Sequence, residues 1–298
     1  VEYYKGSFNK LNDFLTDIIL VNRLVEETHL EIDKVYYSEA QINAYDFIEL
    51  KKFFGENKLV NLRDGIVPFH ACKNEVELEA FKSSFDKADK AIFNTINWIK
   101  SSLEKNQKVT ELDFYHKCDE FYAKEGALDQ SFNTISGFGP NSSIIHFSGP
   151  SENVVMTKNE LALLDSGGYF EAGLATDTTR TFLTGGVASK KQKEIYTLVL
   201  KSLLHTLNAI FIENAMGSTI DGVARQPLFK YGYNYNHGTG HGVGINVHES
   251  GFRISPVSTV PLKVNHVGSI EPGIYIPGFG GVRLENIVIV RKHPAFSN

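Results

Sequence analysis

Four carboxylates and several histidines recur in a pattern suited to hydrolytic metal chemistry. Asp165 and Asp177 frame the stretch D-S-G-G-Y-F-E-A-G-L-A-T-D. Downstream come H-G-T-G-H from His237 to His241, then His248, then E-P-G at Glu271, then R-L-E-N from Arg283, with Glu285 inside it. Hard divalent cations prefer oxygen ligands with an occasional imidazole. Four carboxylates against two divalent ions leave a site close to neutral. Four buried anions without metal would repel one another, and some would have to protonate. A lone acidic residue in a strand is usually solvated or at a sheet edge. Asp165, however, follows the buried-looking run L-A-L-L, and four paired core ions would need four cations where Arg180 and Arg283 alone are near. A two-metal hydrolase is the more economical reading.

The histidines divide by context. His241 stands between glycines, which let backbone and ligands approach closely and favour a ligand role over an ordinary loop histidine. Taken singly, His146, His237 and His248 would be satisfied core histidines; each falls in a segment that carries or repeats a ligand segment. His29, His70, His116, His205, His266 and His293 have no such context. Arg283 lies two residues before Glu285, on the same face of a strand, where it could orient that carboxylate.

The elements that must position these residues follow from the pattern. Residues 1–68 read as the tail of a preceding domain, and 69–298 as the catalytic domain. Within the first, strands are expected at Ile18 to Val21, Val35 to Tyr37 and Leu59 to Leu62, and a helix over Ala40 to Phe54. Pro68 marks the boundary. Asn74 with Glu77 forms a capping box for a long helix whose apolar positions run from Leu78 to Ile99. A second helix spans Thr110 to Gly126. Strands follow at Ser131 to Ser136, Ser143 to Phe147, Leu161 to Gly167 and Ala175 to Leu183, with a turn at Gly173. The same order then repeats. Ser189 and Gln192 cap a helix reaching Glu213, a shorter helix runs from Ser218 to Gly232, and strands come at Asn234, Ile245 to His248, Val267 to Tyr275 and Val282 to Val290. F-N-T-I-S-G-F-G-P-N-S-S-I-I-H resembles Y-N-H-G-T-G-H-G-V-G-I-N-V-H, each ending on a histidine. The expected architecture is a duplicated α+β unit with two antiparallel sheet halves and helices outside.

Composition bounds the partners. The chain has 298 residues, 42% hydrophobic and 22% charged, as in a globular protein. A net charge of −5 without a basic block argues against nucleic acid. The apolar runs are too short to span a bilayer. The start V-E-Y-Y-K-G has no signal pattern and reads like a cut through a longer protein. Cys72 and Cys118 fit neither a disulfide framework nor a metal spacing, and suit packing in a reducing cytosol.

The segments D-S-G-G…A-T-D-T-T-R-T, H-G-T-G-H-G-V-G…V-H-E, S-I-E-P-G-I-Y and G-V-R-L-E-N-I-V resemble the pita-bread metallopeptidases of family M24. The similarity covers Lys73 to Val290, and within the family it leans toward the Xaa-Pro aminopeptidase (aminopeptidase P) branch, with prolidase as the near relative. It implies a pita-bread (creatinase/aminopeptidase) fold preceded by the remnant of a creatinase-like α/β domain. It implies two divalent ions, Mn2+ in the first place with Co2+ or Zn2+ as alternatives, held by Asp165, Asp177, His241, Glu271 and Glu285. His146, His237, His248 and Arg283 match residues that hold substrate and stabilise the transition state. The activity implied is removal of an N-terminal residue from peptides with proline second, by a hydroxide bridging the two ions. Glu271 would carry the proton to the leaving nitrogen, and His237 would donate to the oxyanion. Prolidase activity on dipeptides, or a catalytically silent peptide-binding relative, are the alternatives. A homodimer of the full-length protein and a cytoplasmic location are also implied. Asp165 and Asp177 stand one residue further apart than is usual in the family, and the extra residue falls in the turn from Glu171 to Gly173.

Overall fold

The computed structural model describes residues 32–39, 42–62 and 67–296. They fall into two compact units that meet between Pro68 and Phe69. In the first, strands β1 (Val35–Tyr37) and β2 (Leu59–Asn61) pair in parallel, with helix α1 (Ala44–Phe54) between them. The helix starts four residues later than its apolar pattern suggests, because the Asn43 side chain caps it by accepting from Asp46 N–H. The strand expected at Ile18 to Val21 lies outside the described residues. Pro68 does not break the chain but sits in the first turn of a short helix, α2 (Val67–Ala71), where its missing N–H costs nothing.

The second unit repeats one arrangement. Helices α3 (Glu75–Glu104) and α4 (Glu111–Lys124) pack together and cover a three-stranded antiparallel sheet of β4 (Ile135–Phe138), β5 (Leu161–Ser166) and β7 (Thr178–Leu183). A small pair joins β3 (Asp129–Gln130) to β6 (Gly168–Tyr169). Helices α5 (Lys190–Leu207) and α6 (Gly217–Phe229) then cover the second half. Its four-stranded sheet runs β13-β10-β8-β9, from β8 (Gly240–Gly242), β9 (Glu249–Ile254), β10 (Val267–Ile270) and β13 (Asn286–Ile289). The hairpin of β11 (Gly273–Ile276) and β12 (Gly280–Arg283) completes it. The three long helices each begin with a complete capping box, at Asn74/Glu77, Thr110/Asp113 and Ser189/Gln192. This is the duplicated, antiparallel α+β plan that the repeat pattern implies.

Several elements differ from the sequence pattern. The segment expected as a strand before His146 is a 3-10 helix, Gly139–Ser143, followed by a turn. Pro140 favours that geometry, and Ser142 and Ser143 turn their hydroxyls onto the carbonyls of Gly139 and Pro140. Residues 245–248 form bends rather than a strand, because Glu249 accepts the Ile245 and Asn246 N–H groups that a ladder would need. No strand forms at Asn234, whose side chain accepts from Arg225 instead. Helix α5 ends at Leu207, where Asn208 bonds back to the Leu204 carbonyl. The long strands expected from Val267 and Val282 are each split in two, and the breaks carry Glu271 and Glu285.

Candidate metal centre and active site

The carboxylates come from strand ends and breaks. Asp165 is on β5, Asp177 immediately precedes β7, Glu271 lies between β10 and β11, and Glu285 between β12 and β13. The ladder from Leu161↔Leu183 to Ser166↔Thr178 is unbroken, so Asp165 and Asp177 are held by one rigid pair of strands. The connection turns at Gly173, at φ +71°. Strand β7 is stitched to β12 through a side chain. Thr181 Oγ1 donates to the Arg283 carbonyl at 2.9 Å and accepts from its N–H at 3.1 Å. Those bonds join the two halves of the domain at the level of the carboxylates.

His241 is placed by close backbone approach. A Cβ on Gly240 would come within 1.9 Å of the Ser269 carbonyl oxygen, so no other residue fits where β8 meets β10. The His241 N–H then donates to Ser269 Oγ (3.0 Å), and that hydroxyl donates to Glu271 Oε1 (3.2 Å). His241 Nε2 lies 3.4 Å from Asp177 Oδ2 and 3.3 Å from Glu271 Oε1. Ligand atoms of Asp177, His241 and Glu285 all fall within 4.8 Å of one another.

Electrostatics makes this cluster costly as it stands. Burial, reinforced by Asp165, holds Asp177 well above the usual carboxylate range. Burial and then Asp177 do the same to Glu285, and burial raises Glu271. Asp165 Oδ1 and Glu285 Oε1 are buried without any hydrogen-bond partner among the described residues. Unpaired buried carboxylate oxygens are rare because each forfeits its hydration. Two such atoms facing a cluster of oxygens and one imidazole fit a divalent cation site in both charge and donor type.

A second tier of polar groups holds the first. Arg283, almost wholly buried, donates to Asp165 Oδ2 (2.6 Å), Thr179 Oγ1 (3.1 Å), Tyr275 Oη (3.0 Å) and the Ile145 carbonyl (3.3 Å). Thr179 Oγ1 in turn donates a hydrogen bond to Glu285 Oε2 at 2.8 Å. Arg283 therefore pairs directly with Asp165 and reaches Glu285 only through Thr179, not as the direct partner that its spacing suggests. Thr179 and Tyr275 are positioning groups that sequence reasoning missed. Both lie in singled-out segments, A-T-D-T-T-R-T and S-I-E-P-G-I-Y, but nothing in their spacing marks them apart from other strand residues.

His237 Nδ1 lies 2.7 Å from the Gly238 carbonyl, which can only accept, so Nδ1 carries the proton. Its Nε2 is 2.9 Å from Tyr275 Oη. Burial, then the Arg283 charge, push His237 down to about 4. The ring is neutral at pH 7, and Nε2 accepts from Tyr275. That arrangement leaves no N–H for an oxyanion, contrary to the donor role expected of His237. His248 packs its ring edge-on against His241, with centroids 4.1 Å apart. His146 is exposed on the turn after the 3-10 helix. Both face a cavity of about 700 Å³, whose carboxylate floor is flanked by Phe132, Ile135, Ile145 and Val247.

The chain is similar to known proteins in both sequence and fold. Residues 79–292 match metallopeptidase family M24. A probable Xaa-Pro aminopeptidase P from Talaromyces marneffei is 39% identical over 250 residues, 80% of this chain and 37% of that protein. The chain thus spans under two fifths of that relative's length. The prolidase from Pyrococcus furiosus superposes with a TM-score of 0.75 at 28% identity, covering 87% of this chain and 74% of that one. The X-prolyl aminopeptidase from Caenorhabditis elegans, described as a cytosolic enzyme with a di-nuclear active site, does so with a TM-score of 0.76 at 28% identity, over 91% and 44%.

Proposed function

Because the chain belongs to metallopeptidase family M24, we propose that it carries the catalytic domain of an aminopeptidase that removes the residue preceding a penultimate proline. The observation that supports this most is the convergence of Asp165, Asp177, His241, Glu271 and Glu285 in one cavity, with two of their oxygens buried and unpaired. Those five residues would hold two divalent ions, Mn2+ being the first to test. When bound, the ions supply Lewis acidity and a nucleophile at neutral pH.

The chain's own residues orient substrate and move protons. The proline ring packs against the apolar wall of Phe132, Ile135 and Val247. Burial raises Glu271, and its place in the cavity suits it to take a proton and deliver it. The nitrogen before proline has no N–H, so the proton from Glu271 is the one that turns it into a leaving amine. His248 is the better placed donor to the developing oxyanion, since His237 is committed to Gly238 and Tyr275. His237, Tyr275 and Arg283 hold Asp165 in register. Residues 1–68 are read as the end of a creatinase-like domain, and the working protein as a cytosolic homodimer, on the strength of the family alone.

Prolidase activity is the second reading, favoured by the fold match to the Pyrococcus enzyme. Hydrolysis of Ala-Pro against Ala-Pro-Ala-Ala by the Mn2+-loaded protein separates them. Cleavage of the tetrapeptide supports the aminopeptidase, and cleavage of the dipeptide alone overturns it.

A further inference from the structure

Glu111 is fully buried and has no part in the chemistry described so far. It is the first residue of α4, where an acidic side chain ordinarily does no more than complement the helix terminus. Here the Thr110/Asp113 capping box already serves that end. No cation stands against Glu111 among the described residues. Burial raises its pKa, and hydrogen bonds alone oppose the rise. Every donor that its carboxylate meets belongs to another part of the chain.

Those donors sit at the two ends of one loop. The Phe138 N–H donates to Oε1 at 3.0 Å, and the Asn141 amide donates to Oε1 and Oε2 at 3.1 and 3.2 Å. The Ser151 backbone supplies a further bond, and the Ser151 carbonyl accepts from the Leu112 N–H at 3.4 Å. A buried carboxylate thus closes the neck of residues 139–150. The loop above the neck carries Ile145 and His146, both on the cavity wall. It has two further anchors, both on β12. The Gly281 N–H donates to Ser142 Oγ at 2.9 Å, and a Cβ on Gly281 would come within 2.3 Å of the Ser142 carbonyl oxygen. Arg283 reaches the Ile145 carbonyl at 3.3 Å. From His146 to Pro150 no hydrogen bond to another element is found among the described residues. The place of His146 therefore depends on the anchors on either side of it, and the neck is the one that holds both ends.

We propose that Glu111 is a positioning residue of the candidate active site, whose carboxylate fixes the neck of the 139–150 loop and so sets where Ile145 and His146 stand in the cavity. This rests on the peptidase reading above. A buried anion accepting several N–H groups holds its partners more firmly than neutral contacts would, and substrate-positioning groups must be held closely to be effective.

The test compares wild type with E111L, E111Q and H146A, with the E111L/H146A and E111Q/H146A pairs, and with I99A as a control. Ile99 is buried in the hydrophobic core on α3 and makes none of the bonds at the neck. In the Mn2+-loaded protein, E111L should lower kcat/KM for Ala-Pro-Ala by about 10- to 100-fold, the scale of an ångström-sized misplacement. Its Mn2+ content should equal that of wild type. E111Q, which keeps the shape and an acceptor without the charge, should fall between the two. Either change should cost clearly less once His146 is alanine, because both act on one contact. Hydrogen exchange in E111L and E111Q should quicken over 138–151 and stay as in wild type over 237–248. I99A should keep wild-type kcat/KM and wild-type exchange over 138–151. Equal losses with and without His146, unchanged exchange over 138–151, or loss of Mn2+ in E111Q overturns the proposal while leaving the peptidase reading intact. If E111L does not fold, E111Q and its H146A pair carry the same comparisons. If wild type cuts no Xaa-Pro bond, the peptidase reading fails and exchange decides the role of Glu111 alone. Quickening confined to 138–151 then retains it, and no quickening removes it too.

Discussion

At the scale of single residues, holding a metal and contacting substrate are separable roles. Asp177 clusters with His241 and Glu285, its Oδ2 3.4 Å from His241 Nε2. D177A should lose metal and turnover together while the chain stays folded, because the remaining buried acids can protonate. Elemental analysis finding two metal equivalents in the folded variant would refute this. His248 packs against the His241 ring at the edge of the cluster. H248A should retain its metal and lose kcat/KM by about 10²–10³, the scale of one transition-state donor. H241A should lose metal and fail more completely. Metal loss in H248A equal to that in H241A would erase the distinction.

At the scale of elements, α6 braces the loop that carries His237. Arg225 donates to Asp221 (2.7 Å) and to the carbonyls of Tyr235 and His237 (2.7 and 2.8 Å), and its guanidinium stacks 3.9 Å over the Tyr235 ring. Asp221 also accepts from Thr239 Oγ1 at 2.6 Å. Helix and loop are thus one polar unit, sealed from water. Removing one member of a buried ion pair strands the other, at a cost of about 3–5 kcal/mol. R225L should therefore destabilise the domain by about that much in urea unfolding. R225L combined with D221A should lose distinctly less than the sum of the single changes. Additive losses would mean the pair is not coupled. On β8, G240A is expected to be worse than either, since its Cβ would drive into the Ser269 carbonyl and separate β8 from β10; failure to recover soluble, metal-binding protein is the expected readout.

For the molecule as a whole, the acidic site links stability to pH. Asp177 and Glu285 have pKa values raised above the ordinary 3.8 and 4.5. A raised carboxyl favours the folded state while it stays protonated. That contribution is full below about pH 4 and is lost as pH rises through the folded-state values. The metal-free protein should accordingly lose part of its stability between mildly acidic and neutral pH through these groups. Added Mn2+ should raise Tm more at pH 7.5 than at pH 5, since the ligands must be deprotonated to bind. Thermal scans with and without chelator at the two pH values test this, and a Mn2+ increment that is larger at pH 5 would contradict it. No helix among the described residues is long and apolar enough to cross a membrane.

Much of this plan was legible in the chain itself because it rests on local chemistry. Capping boxes at Asn74 and Ser189 bond within four residues, so the starts of two long helices could be read directly. The identities of the acidic residues and of His241, and the repeat that places them in two halves, are likewise written in residue types and spacing. Tertiary structure alone decided what depends on partners far along the chain. Residues 245–248 are not a strand because Glu249 takes their N–H groups, with Lys73 holding that carboxylate from 176 positions away. Glu271 and Glu285 lie in strand breaks, and Arg283 goes to Asp165 across a separation of 118 residues. His237 becomes an acceptor because Tyr275 and Gly238 fix its tautomer. Arg253 borders the cavity because it pairs opposite His241. A spacing rule predicts which side chains share a face; it cannot predict which distant oxygen or proton each will meet there, and at this site those meetings determine the role.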